Sequence, residues 1–385
     1  MNYFYQEKLD ISKGVGLVLG CFAPLHKGHL DLIYKSKKEN LGGTFVIVCG
    51  YKGDRGENAG MDLKARYQMV REFFKDDPLV AVYCISDDEA GIAGYNDHWE
   101  EWLDFLYSRV FVANQQDAVE PSIFNNVTFY VSEKEYADHL TKLNKKVVLC
   151  DRSIRPISGT LIRANPRKYW DDIAWTYHRV FSHNILITGT ASEGKTTLVE
   201  DIGRFFNMPY SYEWARGYIA DKCIEDTAFN TTDFLAFLDG QFNYNRSCIE
   251  SKNNRGIFIS DTDGIVTKMY AKYYAEDPEM DLSMEDYENI IAPAADAYTR
   301  KAKWDKIFVV VPHGTFVDDH TRYMKHSSME SRVQLLNILK EEIAKAGLSD
   351  KVEFLDGGYM NNFNRVKEYI ENQTDDTKEI FKIVK

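Results

Sequence analysis

The stretch ILITGTASEGKT, residues 185–196, decides the fold of the second half of this chain. It opens with four apolar and β-branched residues, which predict a buried strand. The eight residues that follow match the pattern G-x-x-x-x-G-K-S/T, a glycine-rich turn whose backbone N–H groups surround a phosphate when the turn joins a strand to a helix. The amphipathic stretch 197–206 supplies that helix. The segment therefore predicts a parallel α/β domain that binds a nucleoside triphosphate.

Two side chains of this turn carry the expected chemistry. Lys195 is predicted to bridge the β- and γ-phosphates of ATP, and Thr196 to hold Mg²⁺. The residues predicted to bind the nucleotide are Gly189, Glu193, Gly194, Thr196 and Thr197. ATP and Mg²⁺ are accordingly the expected cofactors.

A second apolar strand, residues 256–260, runs directly into two carboxylates, Asp261 and Asp263. At the end of a parallel strand, a kinase needs a magnesium ligand or a base for the acceptor hydroxyl. We predict both aspartates as catalytic, and Asp261 also as a metal ligand. A plain turn at the end of the strand is the alternative.

Two further segments are assigned to the acceptor and to a lid. Tyr212 and Glu213 follow a short strand and place an aromatic ring and a carboxylate where an acceptor ribose and base can dock. Arg322 and Arg332 belong to a charged region that can close on the transferring phosphoryl group. Solvated helix charges are the competing interpretation for these two arginines.

The N-terminal half carries another phosphate motif, GCFAPLHKGH at residues 20–29, which follows the apolar strand 16–19. His26 and His29 are three positions apart, so both lie on one face of the first helical turn. A helix N-terminus presents free N–H groups and positive potential, and Gly28 allows the backbone to approach closely. This arrangement suits attack of an anionic oxygen on an α-phosphorus, which needs charge stabilisation more than a covalent nucleophile.

The whole string resembles the signature G-x-F-x-P-x-H-x-G-H of the nucleotidyltransferase superfamily and matches it at every fixed position. The resemblance implies that Gly20, Phe22 and Gly28 contribute to ATP binding, with His26 and His29 as catalytic groups.

A second string, ISGTLIR at residues 157–163, resembles the motif I-S-S-T-x-I-R that closes the same superfamily's domain. Hydroxyl groups at a helix start, followed by an arginine one turn later, make a phosphate clamp. The resemblance assigns Ser158 and Thr160 to nucleotide binding and Arg163 to catalysis. Gly159 stands where the superfamily usually has a second serine, so one hydroxyl contact is missing.

Composition bounds the remaining possibilities. The chain has 385 residues, of which 44% are apolar, enough for two cores. Its formal net charge is −12 and it has no lysine/arginine block, so it lacks the charge pattern of a duplex-DNA binder. Six scattered cysteines predict free thiols, and no signal peptide or membrane-length apolar run is visible. We expect a cytoplasmic protein with small-molecule partners and no nucleic-acid or membrane partner, and leave open a homo-oligomer.

Short β-branched runs alternate with amphipathic stretches along the whole chain. The fold class predicted is α/β, with two doubly wound parallel-sheet domains: a Rossmann-like nucleotidyltransferase domain at 1–180 and a P-loop kinase domain at 181–385. The aromatic segment 165–184 separates the two series and is predicted to be a packed joint rather than a flexible tether.

Together with residues 132–133, 212–216, 261–263 and the segment around Arg322, the two motifs make the chain resemble the NadR-type bifunctional family. The resemblance implies a ribosylnicotinamide kinase that makes nicotinamide mononucleotide (NMN) from nicotinamide riboside, and an adenylyltransferase that converts NMN and ATP to NAD and pyrophosphate. Some members carry an N-terminal helix-turn-helix domain and repress transcription. About fifteen residues precede the first predicted strand here, so we expect an enzyme and no repressor.

Two residues of the N-terminal half are predicted to contact substrate. Arg66 follows Asp62 at the start of a helix and can position phosphate, with a solvated helix arginine as the alternative. Trp99 can stack on a nicotinamide ring, although a large aromatic side chain belongs more often to the core.

Three other functions stay open at this stage. A phosphopantetheine adenylyltransferase fused to a dephospho-coenzyme A kinase has the same domain order and both motifs, with residues 212–216 and 261–263 as evidence against it. A flavin-type kinase–adenylyltransferase fusion is weaker, because its kinase lacks the loop 189–196. A nucleotide sensor that binds NAD or ATP with little turnover is the non-enzymatic alternative.

Overall fold

The computed structural model describes residues 8–90, 98–113, 125–151, 153, 155–313 and 327–373. The chain divides into two compact units, Met1–Phe181 and Ser182–Lys385, and the division falls within the aromatic segment 165–184. Each unit is built on a parallel sheet with helices on both faces, as the alternating pattern predicted.

The first unit has a five-stranded sheet in the order β3-β2-β1-β4-β5, and all its pairings are parallel. Its strands are β1 (Val15–Gly20), β2 (Thr44–Gly50), β3 (Val80–Ser86), β4 (Val127–Val131) and β5 (Lys146–Leu149). Its helices are α1 (Lys27–Glu39), α2 (Leu63–Phe73), α3 (Asp87–Ala90), α4 (Trp99–Ala113), α5 (Lys134–Lys142), α6 (Gly159–Ala164) and α7 (His178–Phe181).

The layering follows from the two-residue period of the strands. In β2, Phe45 and Ile47 join one apolar cluster, while Val46 and Val48 join a second cluster on the opposite face. Every residue of β2 is buried. A strand covered on both faces needs a continuous apolar run, which is what the sequence provides there.

The second unit also has a five-stranded parallel sheet, in the order β10-β9-β6-β8-β7. Its strands are β6 (His183–Gly189), β7 (Tyr210–Ser211), β8 (Ile257–Ser260), β9 (Lys306–Val310) and β10 (Val352–Leu355). Its helices are α8 (Lys195–Phe206), α9 (Trp214–Lys222), α10 (Thr231–Ile249), α11 (Gly264–Ala275), α12 (Met284–Asp286), α13 (Ala292–Ala302), α14 (Met329–Lys345) and α15 (Tyr359–Asn372). No helix within the described residues of either unit is long and apolar enough to cross a bilayer.

Each sheet reverses its strand order at its first strand. The strands β2 and β3 lie on one side of β1, with β4 and β5 on the other, and β6 divides the second sheet in the same way. In doubly wound sheets, ligands bind beyond the carboxyl end of the strand at which the order reverses. The two phosphate motifs begin at these ends, at Gly20 and at Gly189.

Candidate active sites

The loop between β6 and α8 has the geometry of a phosphate cradle. Gly189 (φ +139°) and Gly194 (φ +72°) both lie in the region of positive φ that favours glycine. A Cβ atom on Gly189 would approach the carbonyl oxygen of Val310 to 2.5 Å, so no larger residue fits there. The N–H groups of the first turn of α8, which includes the exposed Thr197, have no partner inside the helix and are available to an anion.

Three side chains meet at the start of α8. Lys195 donates from Nζ to the carbonyl oxygen of Thr190 at 2.6 Å. Thr196 donates from Oγ1 to Oδ2 of Asp261 at 2.5 Å, and Asp261 stands at the end of β8 with 2% of its surface exposed. Burial raises the pKa of the Asp261 carboxyl group, while Lys195 and the bond from Thr196 act to lower it. The buried Oδ1 of Asp261 accepts no hydrogen bond from the described residues.

This oxygen pair fits a magnesium ion that is completed by a nucleotide. Mg²⁺ in such sites takes one or two protein oxygens, and substrate phosphates and water supply the rest. No group of three or more histidine, cysteine or carboxylate side chains capable of forming an all-protein metal site is found among the described residues. Thr196 and Asp261 therefore match the donor set of a metal held jointly with ATP.

Asp263, predicted from the sequence to be catalytic, has a structural role. Its Oδ1 accepts from the N–H groups of Ile265 (3.0 Å) and Val266 (3.3 Å) and so caps α11, and its Oδ2 accepts from the indole N–H of Trp304 at 2.6 Å. Burial raises the pKa of this carboxyl group to about 6. Because both oxygens are engaged in holding α11 and Trp304, the structure assigns Asp263 to the fold rather than to catalysis.

Arg332 is likewise buried instead of lying in an open lid. It donates from Nη2 to Oε1 of Glu193, and both side chains are almost fully buried. His313 lies on the other side of the same carboxylate, with Nδ1 3.5 Å from Oε2. Glu193 and Arg332 thus connect the phosphate loop to α14. Arg322, the other predicted lid residue, lies outside the described residues.

A pocket lies beside Asp261, since the next residue, Thr262, lines it, and its space is about 750 Å³ when the part open to solvent is included. Glu213 and Arg216 lie at its polar end, joined by an ion pair at 2.8 Å, and both act electrostatically on Asp261. The lining includes Glu213 but not Tyr212. The Tyr212 hydroxyl donates to Oε1 of Glu200 at 3.2 Å, and its contact with an acceptor stays a prediction.

Five of the fourteen residues that line the pocket are aromatic, and sequence reasoning missed them. Phe234 and Phe237 project from α10 and Tyr270 and Tyr274 from α11, while Phe229 precedes α10. The spacing of Phe234, Phe237 and Gln241 at i, i+3 and i+7 marks one face of α10. That signal indicates an apolar face, but it does not distinguish a pocket from a packed core.

In the first unit, the loop after β1 brings the two motif histidines together. His26 is the residue before α1, and its ring stacks on that of His29 with 3.8 Å between centroids. Phe22 packs edge-on against His29, with 4.9 Å between the ring centroids. The space beside Gly20 and Gly28 is narrow, because a Cβ would meet the Phe22 ring at 3.3 Å or the His26 ring at 3.1 Å.

The second string closes on this loop. Ser158 caps α6 by accepting the N–H of Leu161 at 3.3 Å. Arg163 donates to the carbonyl oxygen of Ala23 at 2.5 Å and to Oγ1 of Thr160 at 3.2 Å. Burial lowers the pKa of Arg163, and the neighbouring charge of Arg55 lowers it further. The motif strings are therefore one site, with two imidazoles and a guanidinium at the carboxyl end of β1.

The glycine that departs from the superfamily motif has a steric reason. A Cβ atom on Gly159 would lie 2.9 Å from the carbonyl oxygen of Ala23 and 3.0 Å from Nη1 of Arg163. We expect Gly159→Ser to lower the kcat/KM of the adenylyl transfer that the motif predicts about tenfold, since crowding of this kind costs about 1–3 kcal/mol and displaces Arg163. Steady-state kinetics of the adenylyl transfer measures the change.

Gly159→Ala is the matched control for this substitution. It adds the same Cβ without a hydroxyl, so equal losses in both variants identify crowding as the cause. A serine variant as active as the unmodified protein would contradict the crowding, and a serine variant that alone is more active would show that Gly159 is a lost phosphate contact.

The remaining two predicted substrate contacts are placed elsewhere. Arg66 is 0% exposed and forms a two-point ion pair with Asp54, at 2.8 and 2.6 Å, so it holds the loop after β2 and presents no surface to a substrate. Trp99 is 7% exposed and stacks on His139 with 5.5 Å between centroids. Both side chains belong to the interior of the unit in this structure.

Comparison with known proteins agrees with the two sites. A cytidylyltransferase-like family model matches residues 17–165, and an AAA domain model matches residues 184–358. The curated "Trifunctional NAD biosynthesis/regulator protein NadR" of Salmonella typhimurium is 26% identical over 94% of this chain and 84% of its own length. Its Escherichia coli counterpart is 24% identical over 93% of this chain and 83% of its own length.

Two solved structures extend the similarity to the whole fold. A crystal structure of NadR in complex with NR is 32% identical, covers 94% of this chain and 96% of its own, and superposes with a TM-score of 0.78. A structure of NadR with NAD and AMP-PNP covers the same shares at a TM-score of 0.73. With both motif strings assembled into sites and the similarity extending over nearly the full length of both chains, this chain belongs to the NadR family.

Proposed function

We propose that the chain is a bifunctional enzyme of NAD synthesis: its C-terminal unit phosphorylates nicotinamide riboside to NMN with ATP, and its N-terminal unit adenylylates NMN to NAD. The observation that carries the proposal is the presence of two separate phosphate-binding loops, one in each unit, of which the second adjoins an aromatic pocket. The names of the relatives, which refer to NAD biosynthesis, NR and NAD, support the same substrates.

The kinase step needs alignment and charge stabilisation. We infer that the ribose hydroxyl of the riboside lies beside Glu213, which accepts its proton as the hydroxyl oxygen bonds to the γ-phosphorus and ADP leaves. Lys195 and the loop N–H groups hold the β- and γ-phosphates. Thr196 and Asp261 would hold a Mg²⁺ ion together with ATP, and the ion would neutralise charge on the same phosphates. The aromatic walls hold the base and exclude water.

The adenylyl step uses the other site. An oxygen of the NMN phosphate bonds to the α-phosphorus of ATP, and the bond to the β-phosphate oxygen breaks to release pyrophosphate. His26, His29 and Arg163 donate to the triphosphate and balance the charge that develops on the leaving group. The N-terminus of α1 contributes further N–H groups.

The two aspartates after β8 should respond differently to substitution. We expect Asp261→Asn to lower riboside phosphorylation by about 10²–10³ because the metal site loses its carboxylate. Asp263→Asn should keep its kcat within about tenfold, because the carboxylate of Asp263 only caps α11 and holds Trp304. Equal losses of kcat in the two folded variants would contradict this assignment.

Thermal unfolding at several pH values tests Asp263 a second way. Its pKa rises from 3.8 to about 6 on folding, so the stability it contributes is present below pH 4 and is lost as the pH rises through 6. The difference corresponds to about 3 kcal/mol. Relative to Asp263→Asn, the unmodified protein should therefore lose stability between pH 4 and pH 7.

One incubation tests the whole proposal. The protein is mixed with ATP, Mg²⁺ and nicotinamide riboside, and the products are separated by chromatography, with 4′-phosphopantetheine and dephospho-coenzyme A as parallel substrates. Formation of NMN followed by NAD is the expected result. Turnover of the pantetheine substrates instead would establish the rival fusion, and tight nucleotide binding with negligible product would establish a sensor.

We also infer a cytoplasmic location. All six cysteines are free thiols, and reduced thiols are typical of that compartment. That the protein has no nucleic-acid or membrane partner stays a prediction from the sequence. A homo-oligomer is left open.

A further inference from the structure

The aromatic pocket of the second unit has two chemically different ends. At one end, Gln241 of α10 accepts the N–H of Trp214 at 2.7 Å and donates to the carbonyl oxygen of Tyr212 at 3.0 Å, which places this part of α10 beside the end of β7. Phe234 precedes Gln241 by seven residues, about 10 Å along the helix axis. The pocket therefore extends about 10 Å from its polar end, enough for a nucleoside.

The far end contains a single carboxylate among aromatic rings. Asp226 is 9% exposed and lines the pocket, and its Oδ2 accepts from the hydroxyl group of Tyr274 at 3.2 Å. The rings of Phe229 and Phe234 each lie 6.2 Å from that of Tyr274. Tyr274 is near the end of α11, whose first residues adjoin Asp261. Asp226 is thus at the opposite end from the phosphate loop.

A carboxylate in this position favours some ligands and rejects others. A carboxylate accepts hydrogen bonds and donates none, and each of its two oxygens can accept more than one. Aromatic faces attract cations, and a negative charge beside them strengthens that preference. A ligand carboxylate at the same place would meet a like charge, which is unfavourable.

We propose that Asp226 is a specificity residue of the kinase pocket that selects a riboside with a carboxamide-bearing, positively charged ring and rejects one whose ring carries a carboxylate. This inference rests on the proposed function, because it takes a pyridine riboside as the acceptor. The chemical distinction is between nicotinamide riboside, whose carboxamide N–H can donate to Asp226, and nicotinic acid riboside, whose carboxylate cannot. The ribose then lies toward Glu213, at the phosphate end.

The test measures binding of both ribosides to the full chain by titration calorimetry without ATP, and their phosphorylation with ATP and Mg²⁺. The unmodified protein should bind nicotinamide riboside on the order of 10²-fold more tightly than nicotinic acid riboside. Asp226→Asn should reduce this ratio at least tenfold, because it lowers the affinity for nicotinamide riboside and raises the affinity for nicotinic acid riboside. Asp226→Glu keeps the charge and should retain the preference.

Asp239→Asn is the matched control, because it makes the same change of charge on an exposed residue of α10 outside the pocket. Its binding ratio should equal that of the unmodified protein. Equal affinities of the unmodified protein for the two ribosides would overturn the inference without any variant. An unchanged ratio in a folded Asp226→Asn protein would overturn it as well.

The two readouts separate this inference from the proposed function. Selective binding of nicotinamide riboside without phosphate transfer would contradict the kinase activity and support the role of Asp226. Phosphorylation of both ribosides with equal kcat/KM would support the kinase activity and overturn the role of Asp226. Failure of both ribosides to bind would overturn both.

Discussion

Replacing Lys195 by alanine is expected to lower phosphorylation of nicotinamide riboside by ~10³ or more, while NAD synthesis from supplied NMN continues. Phosphoryl transfer relies on fixed positive charge, and Lys195 stands at the first position of α8, where the loop N–H groups and Thr196 converge. The adenylyl site has its own cations in the other unit. Chromatography of NMN and NAD from each starting substrate measures both activities in one preparation.

Lys222→Ala provides the control for this experiment, because it removes an equal charge from an exposed position at the end of α9. It should leave both activities unchanged. If Lys195→Ala removed both activities while circular dichroism reported an intact fold, a single shared ATP site would replace the two-site account.

The reverse separation is expected for His29→Ala, with NAD synthesis from NMN lower by ~10²–10³ and riboside phosphorylation retained. The ring of His29 stacks on that of His26 at the start of α1, where the helix N–H groups add positive potential. Removing one preorganised donor from such a site weakens stabilisation of the leaving pyrophosphate. The variant should therefore accumulate NMN from nicotinamide riboside and stop there.

His98→Ala is a suitable control, because its side chain is 58% exposed and lies outside the motif. Near-normal NAD synthesis by folded His29→Ala would contradict the site assignment. Mixing Lys195→Ala with His29→Ala protein should restore conversion of riboside to NAD, because NMN released by one protein reaches the other by diffusion.

The residue pattern alone is sufficient to predict the positions of both phosphate loops and the class of the fold. In loops 20–29 and 189–196, phosphate binding depends on backbone N–H groups, tight turns and short side chains. The residue pattern and its flanking strand are therefore sufficient to recognise these loops. The strands are equally local, since β2 is apolar from Phe45 to Cys49 and glycines lie on both sides of this run. The helix predicted at 197–206 lies within α8 for the same reason.

The roles of neighbouring polar residues, by contrast, depend on contacts that form in the folded units. Asp261 and Asp263 are two positions apart in the chain, yet one contacts Thr196 at the phosphate loop and the other holds Trp304. Arg66 has its charge satisfied by Asp54, twelve residues away, and is fully buried. A local pattern reports that a charged side chain is present, but the partner that takes up the charge comes from another element.

The acceptor pocket shows most clearly what a local sequence pattern cannot predict. Its wall combines residues of α10 and α11 with Asp226 and Phe229 from the connection before α10, and none of these positions carries a motif. Apolar spacing on one helix looks alike whether the facing helix fills the space or leaves it open. How far two helices stand apart depends on the side chains of both and on the sheet beneath them, so the cavity, and the carboxylate at its far end, exist only in the folded unit.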